Sequence, residues 1–321
     1  MSPFATELAL HRLLAAAGQA PSVLNTQPWR LDAVRGECAE LLADPDRRLR
    51  VSDPRGRSLH VSCGAALFNL RLAVRTAGHR PLVRLLPDTA EEPLLLAAVR
   101  VSPYGPASVR TRELYECIGL RRTNREPFSG RRVPEHVLSE LRRAAACEGA
   151  GLVMLGRRAS ADLLEHVAIA SDELAGDGGY QAELRAWTMR ASRCEGLPSY
   201  VQGPGCADDP APVRDFGTHG GRGPVHFEPR PQLAVLTTAG DGPADWLRAG
   251  QALQRVLLTA TVHGISASFL NQPLDLRDMR RRSDPRHRCG HIQMIIRLGY
   301  GPAVPRAPRR PAVELKETAA A

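Results

Sequence analysis

The sequence predicts an α+β chain made of two related halves. Helix-like and strand-like stretches are interspersed without the regular strand–helix–strand rhythm of a doubly wound sheet. One helical pattern also occurs twice. Gly64, Ala66, Leu67, Leu72 and Gly78 recur as Gly250, Ala252, Leu253, Leu258 and Gly264, a constant offset of 186 (250 − 64). Leu70 and Val256 match in type. Small residues let such helices pack closely, and a terminal glycine stops them. A chain of 321 residues has room for two such units, and the expected halves are 1–108 and 109–321.

In chain order, residues 6–17 read as an amphipathic helix with Leu8, Leu10, Leu13 and Leu14 on its apolar side and Gly18 as its stop. The first copy of the repeated helix covers 62–78. PLVRLLP and LLAAVRVSP have strand-like apolar runs. Residues 110–122 and 134–146 read as helices, the second with Pro134 at an early helical position. GLVMLG, 151–156, reads as a strand, and 160–175 and 180–192 as helices. From Cys194 to Pro231 periodicity fades and Gly and Pro accumulate; a connection this long inside a compact chain suits a lid or a linker. QLAVLTT reads as a strand, residues 245–264 as the second copy of the helix, and HIQMIIRLGYG as a strand. The tail PAVPRAPRRPAVEL is proline-spaced and expected to be extended.

The composition closes off several classes. The apolar fraction of 43% supports a real core. No apolar run reaches the roughly 18 to 20 residues of a membrane span, and the N-terminus lacks the pattern of a secretory signal, so a cytoplasmic protein is expected. The net charge of +9 suggests nucleic acid. Against this, Lys316 is the only lysine among 43 basic residues, which resembles GC-rich codon usage, and the 4% aromatics do not interleave with the arginines as a base-stacking surface requires. Nucleic-acid and membrane partners are therefore not expected, and a small-molecule ligand is. Seven scattered cysteines without a CxxC pair argue against disulfides and zinc. His219 and His226 lie in a glycine-rich loop with no metal-ligand spacing, and no metal is expected.

Two strings carry chemistry. APSVLNTQPWRL, 20–31, sets Pro21, Ser22, Asn25, Gln27, Pro28 and Trp29 in one turn region. It reads either as a helix-ending turn whose Trp plugs the core or as a ligand-facing loop held rigid by prolines. GLRRTNREPF, 119–128, gathers Arg121, Arg122, Thr123 and Arg125. Guanidinium forks match phosphate oxygens, although an exposed basic turn would look the same. No Walker motif is present, and GTHGGRGPVHF lacks the GxGxxG spacing of a dinucleotide site.

Together these strings resemble the nitroreductase superfamily, whose members carry an APSxxNxQPW segment and an RRSxRxF phosphate segment. Here the QPW string precedes the arginine string by 100 residues (121 − 21), an order that is similar to the Acg branch. The resemblance extends through SCGAALFNLR, DWLRAGQALQRVLLTATVHG, LNQPL and QMIIRLGYG. It implies a nitroreductase-like fold in which one chain mimics a homodimer, with FMN bound between the halves. Each half keeps one side of one flavin site.

The resemblance further implies that Pro21, Ser22, Asn25 and Gln27 face the flavin and that Arg121, Arg122, Thr123 and Arg125 hold its phosphate. Ser268, Leu270 and Asn271 would run past the reactive face of the ring. Arg309 and Arg310 match a basic pair near the phosphate, or form a solvated basic tail. The segment 194–231 would be a lid, with Tyr200 and Phe216 as its apolar anchors and glycines at Gly217, Gly220, Gly221 and Gly223 lowering the cost of hinging. Two functions follow as expectations. One is an FMN-dependent oxidoreductase passing hydride from NADH or NADPH to a nitroaromatic or quinone, with no side chain required as acid or base. The other is an FMN store with little turnover. The chain would act as a monomer or a weak homodimer.

Overall fold

The computed structural model describes residues 3–4, 6–34, 38–188, 194–208, 210–217, 222–279 and 290–315. His219, Gly220, Gly221 and Cys289 lie outside them. The first half runs α1 (Glu7–Gly18), β1 (Trp29–Val34), β2 (Cys38–Ala43), α2 (Arg57–Thr76), β3 (His79–Leu85) and β4 (Leu95–Pro103). The second runs α3 (Val109–Leu120), α4 (Glu135–Ala146), β5 (Gly151–Met154), α5 (Arg157–Ala175), α6 (Gly178–Thr188), β6 (Gln232–Thr238), α7 (Pro243–Val262), β7 (Ser266–Phe269), α8 (Gln272–Met279) and β8 (His291–Gly299). Two antiparallel four-stranded sheets result, ordered β1-β2-β4-β3 and β5-β6-β8-β7. The order is the same in both, with α2 and α7 filling the same place between the second and third strands. Even the irregularities match: pairing shifts at Leu41/Leu42 between β2 and β4, and at Leu236/Thr237 between β6 and β8.

The repeated sequence pattern is a structural repeat. α2 and α7 coincide end to end at the offset of 186 (243 − 57 and 262 − 76). Gly78 and Gly264 follow them with φ of 84° and 67°, the left-handed turn that favours glycine. The helices cross at Gly64 and Gly250. A Cβ on Gly64 would lie 2.2 Å from the Leu247 carbonyl oxygen, and one on Gly250 would lie 2.0 Å from that of Val61. Val61 and Leu247 are again 186 apart, so the contact is reciprocal, as in a two-fold dimer interface. Arg55 pairs with Asp241 at 3.2 Å, and the His60 and Trp246 rings meet edge-on at 5.5 Å. These residues too are 186 apart, so each meets its own counterpart across a pseudo-two-fold axis.

α2 begins five residues before its apolar pattern. The buried Asp53 carboxylate accepts the Ser58 and Leu59 amides at 3.0 and 2.9 Å, which caps the helix. Arg57 is buried there against Asp278 at 2.6 Å and donates to the Gln293 carbonyl at 2.8 Å, so a charged residue sits inside the core. Sequence reading gave no element to β1, β2, β7 or α8. β7 is four residues long, and α8 has a weak apolar face. α3 packs Leu114, Cys117 and Ile118 into the core of the first half, and Leu315 of the tail joins them. The tail is irregular through Pro311 and ends in a short 3-10 turn over Ala312–Leu315.

Candidate functional site

A cavity that opens to solvent lies between the halves. The loop after α1 supplies Pro21, Ser22, Leu24 and Asn25, and α2 supplies Ser58, Val61 and Ser62. The stretch after α3 supplies Arg121, Arg122, Thr123 and Arg125, and the tail supplies Arg306 and Arg309. Leu253, Phe269, Asn271 and Met294 complete the wall. One end is apolar and the other is crowded with guanidiniums.

The loop 21–29 is held in a costly backbone shape. Leu24, Asn25 and Gln27 have φ of 45°, 56° and 50°, a region that non-glycine residues rarely enter. Side chains over-determine it. The Ser22 hydroxyl oxygen accepts the Gln27 amide at 2.9 Å, and the Val23 amide donates to Ser62 at 3.1 Å. Asn25 spends its whole amide on protein: Nδ2 donates to the Gly196 and Pro308 carbonyls at 2.9 and 3.0 Å, and Oδ1 accepts from Arg309 at 2.8 Å. Gln27 does the same, donating to the Cys194 carbonyl at 2.8 Å and accepting the Arg310 amide at 2.9 Å. Trp29 is fully buried in the core of the first half. The buried Trp29 agrees with the core-plug reading, and Pro21, Ser22 and Asn25 line the cavity.

Strand-like alternation sorts the remaining candidates. Phe269 and Asn271 line the cavity, whereas Ser268 and Leu270 point away from it. Ser268 is buried beside Arg297, and Leu270 is buried among Leu164, Leu233 and Ile295. Arg309 faces the cavity, whereas Arg310 turns to the Gln27 and Trp29 carbonyls and to Asp44. Gln27 stands behind the lining. Asn271 reaches the cavity with its amide engaged by the Ile295 amide at 3.0 Å and by Met294.

Among the described residues no carboxylate pairs with Arg121, Arg122, Arg125 or Arg309. Burial, with Arg122 and Arg125 nearby, holds the Arg121 pKa down to about 10. Burial, with Arg214 nearby, holds Arg125 to about 10. Burial, with Arg121, Arg306 and Arg122 nearby, holds Arg309 to about 9. Arg122 is lowered by partial burial and by Arg306. Buried Nε and Nη1 of Arg121, and Nε of Arg309, have no hydrogen-bond partner among the described residues. Buried charge without compensation is expensive, and burial and like charge both oppose it. A multivalent oxyanion would satisfy the donors and the charge together.

The segment 194–231 forms one wall through Leu197, Val201, Arg214 and Phe216. Phe216 is buried with Leu24, Leu49 and Trp187, whereas Tyr200 is 55% exposed and anchors nothing. Arg125 donates to the Val201 carbonyl at 2.8 Å, and Arg222 forks onto Glu126 at 2.7 Å. His226 contacts Asp208 at 2.8 Å on the surface, and no metal-ligating cluster occurs among the described residues.

Sequence reasoning missed Ser58, Ser62, Arg214, Asp275 and Arg306. Arg306 lay in the tail and Arg214 in the 194–231 segment, both already under suspicion; Ser58, Ser62 and Asp275 are scattered through helices and meet only in three dimensions.

No family model matches the chain. A Mycobacterium tuberculosis protein provisionally named NAD(P)H nitroreductase Rv3131 is 33% identical over 308 residues, covering 93% of this chain and 88% of its own. One provisionally named NAD(P)H nitroreductase acg, from the same organism, is 30% identical over 314 residues, covering 93% and 92%. The solved nitroreductase NfnB from Mycobacterium smegmatis, in complex with NADPH, is 19% identical with a TM-score of 0.41, covering 66% of this chain and 100% of its own. On the identity and coverage of these curated relatives, the chain belongs to the nitroreductase family, in its Acg-like branch.

Proposed function

We propose that the cavity binds FMN and that the chain is an FMN-dependent oxidoreductase of the nitroreductase type. The observation that carries this is the joining of an apolar slot to a cluster of buried guanidiniums with no carboxylate partner. FMN has both characters: a flat ring system and one terminal phosphate. When bound, it supplies acceptance and donation of hydride. Arg121, Arg122, Arg125 and Arg309 would hold the phosphate. Pro21, Ser22, Leu24, Val61 and Leu253 would bound the ring. Asn25, Gln27 and Arg310 act one step back, fixing the loop and tail that carry the contacts. Ser268 and Leu270 hold β7 in place so that Phe269 and Asn271 face inward.

The names of the curated relatives support NAD(P)H as reductant and a nitro compound as acceptor, and we extend the acceptor to nitroaromatics and quinones. We infer one flavin per chain, the halves 1–108 and 109–321 acting as an internal dimer, and no need for a second copy. One observation favours a storage role as a second reading. The wall 194–231 is fastened by the site loops themselves, through Asn25, Gln27, Arg125 and Glu126, and a closed wall would exclude a nicotinamide. Anaerobic addition of NADH or NADPH to the flavin-loaded protein separates the two. Bleaching of the flavin absorbance supports the oxidoreductase. Bleaching by dithionite but by neither nucleotide supports storage. Purified protein that holds no flavin overturns both.

A further inference from the structure

Among the described residues that line the cavity there is no His, Cys, Tyr, Lys or Glu. There is one carboxyl, Asp275 on α8. It is 4% exposed and accepts from Arg214 Nη1 at 2.9 Å. Arg214 belongs to the 194–231 wall and sits over the rings of Tyr180 and Phe216, each 5.6 Å from its guanidinium carbon. The Arg214–Asp275 pair therefore stands in the wall of the cavity, on the side formed by α8 and the 194–231 segment, the strap, and Arg214 shares the Phe216 ring with Arg125.

Two-electron reduction of a quinone or nitro group needs more than hydride. One proton must reach an acceptor oxygen for each hydride delivered. We propose that Asp275 is that proton donor, with Arg214 holding its conjugate base. This inference rests on the oxidoreductase reading above. For a quinone the step balances as follows. FMN, when bound and reduced, would supply the hydride; Asp275 gives its proton to a quinone oxygen, and the hydroquinone leaves. The Asp275 carboxylate remains paired with Arg214 and regains a proton from water. NAD(P)H restores the two electrons.

The surroundings suit the role. Burial raises the Asp275 pKa, opposed by Arg214 from the strap and Arg57 from α2, and assisted by Asp278 on its own helix. The carboxyl thus keeps its proton to a higher pH than an exposed aspartate, while a fixed cation receives the charge left behind. A matched acid of this kind contributes roughly a hundredfold or more to a proton-coupled step.

The test reduces the flavin-loaded protein with one equivalent of dithionite, so that it does not depend on NAD(P)H. Reoxidation is then followed by stopped flow with p-benzoquinone, which takes up protons, and with ferricyanide, which takes electrons alone. Asp275→Asn should slow reoxidation by benzoquinone about a hundredfold, abolish its loss at rising pH, and leave the ferricyanide rate unchanged. Asp275→Glu should recover part of the benzoquinone rate. Equal slowing with both oxidants in Asp275→Asn means that the pair only holds the strap, and unchanged rates with both mean that protons come from solvent; either result overturns the proposal. A wild-type protein that binds FMN but cannot be reoxidised by benzoquinone overturns the oxidoreductase reading itself. If Asp275→Asn does not fold, Arg214→Gln carries the same comparison.

Discussion

Arg121 is a residue on which stability and ligand affinity pull in opposite directions. Its guanidinium is buried, has unpartnered nitrogens and is surrounded by other arginines. Arg121→Met should therefore raise the thermal midpoint of the flavin-free protein, because it removes an uncompensated buried charge. It should also weaken FMN binding by about ten- to a hundredfold, the loss of one charge-assisted hydrogen bond, and leave riboflavin almost unaffected. Equal losses for the two flavins would point to a disturbed fold. Arg122 is partly exposed and donates to the Gly119 and Arg121 carbonyls, so Arg122→Ala should lose less than Arg121→Met. Asn25→Ala removes the side-chain donor to the Gly196 carbonyl, one of the donors to the Pro308 carbonyl and one acceptor of Arg309, and puts alanine at φ 56°. Its cost is about 2 to 4 kcal/mol, read as a shift of the urea midpoint at constant slope. The two site motifs were legible because each packs its polar residues within a few positions. The division of labour inside them was not. Which of Ser268 or Phe269 faces the cavity depends on strand alternation, whose phase is set only when the strand pairs, and which of Arg309 or Arg310 does so depends on where the irregular tail is tied to the 21–29 loop.

At the scale of elements, the repeated helices announced themselves through glycines whose reason lies in the other helix. Gly64→Ala and Gly250→Ala each drive a methyl into a backbone carbonyl that cannot yield. Each should cost about 3 kcal/mol or more, by similar amounts because the contacts are reciprocal. Denaturant titration of both variants measures this, and a cost confined to one would break the pseudo-symmetry. The strap makes a different demand. Its anchor is Phe216, sandwiched between the guanidinium carbons of Arg125 at 5.1 Å and Arg214 at 5.6 Å. Phe216→Ala should speed both FMN release and flavin reduction by a small reductant. A folded variant with both rates unchanged would mean that 194–231 does not control access. Sequence reading located this segment by its loss of periodicity, yet took Tyr200 for an anchor. A loop has no repeat from which an inward face could be read. The elements that escaped notice, such as β7, are short and take their form from neighbours remote in sequence.

At the scale of the molecule, the QPW loop and the arginine string each occur once, so released flavin should approach one per chain. Two would contradict the half-site argument. The pseudo-symmetry maps Ser58, Val61 and Ser62 of the cavity onto Ala244, Leu247 and Arg248. There Arg248 turns to Asp245 at 3.3 Å, and the neighbouring indole of Trp246 is covered by Arg55 and His60. The two-fold scheme was visible in the constant spacing of five residue pairs. What stands on its axis was not, because a sequence offset says nothing about which copies touch.

Those axial residues bear on the ancestry and the future of the chain. On the axis of a true homodimer every residue faces its own twin, so an arginine meets an arginine. Here Arg55 faces Asp241 and His60 faces Trp246, pairings forbidden to identical subunits. Within one chain these positions are free of self-complementarity, and here they are opposites. Severed in the exposed stretch near Gly105, the halves should associate with each other and not with themselves. Two first halves would oppose Arg55 to Arg55, and two second halves would oppose Asp241 to Asp241 and press two indoles together. The merger has thus become a one-way step: the protein can be cut into a mismatched couple, but no longer into twins.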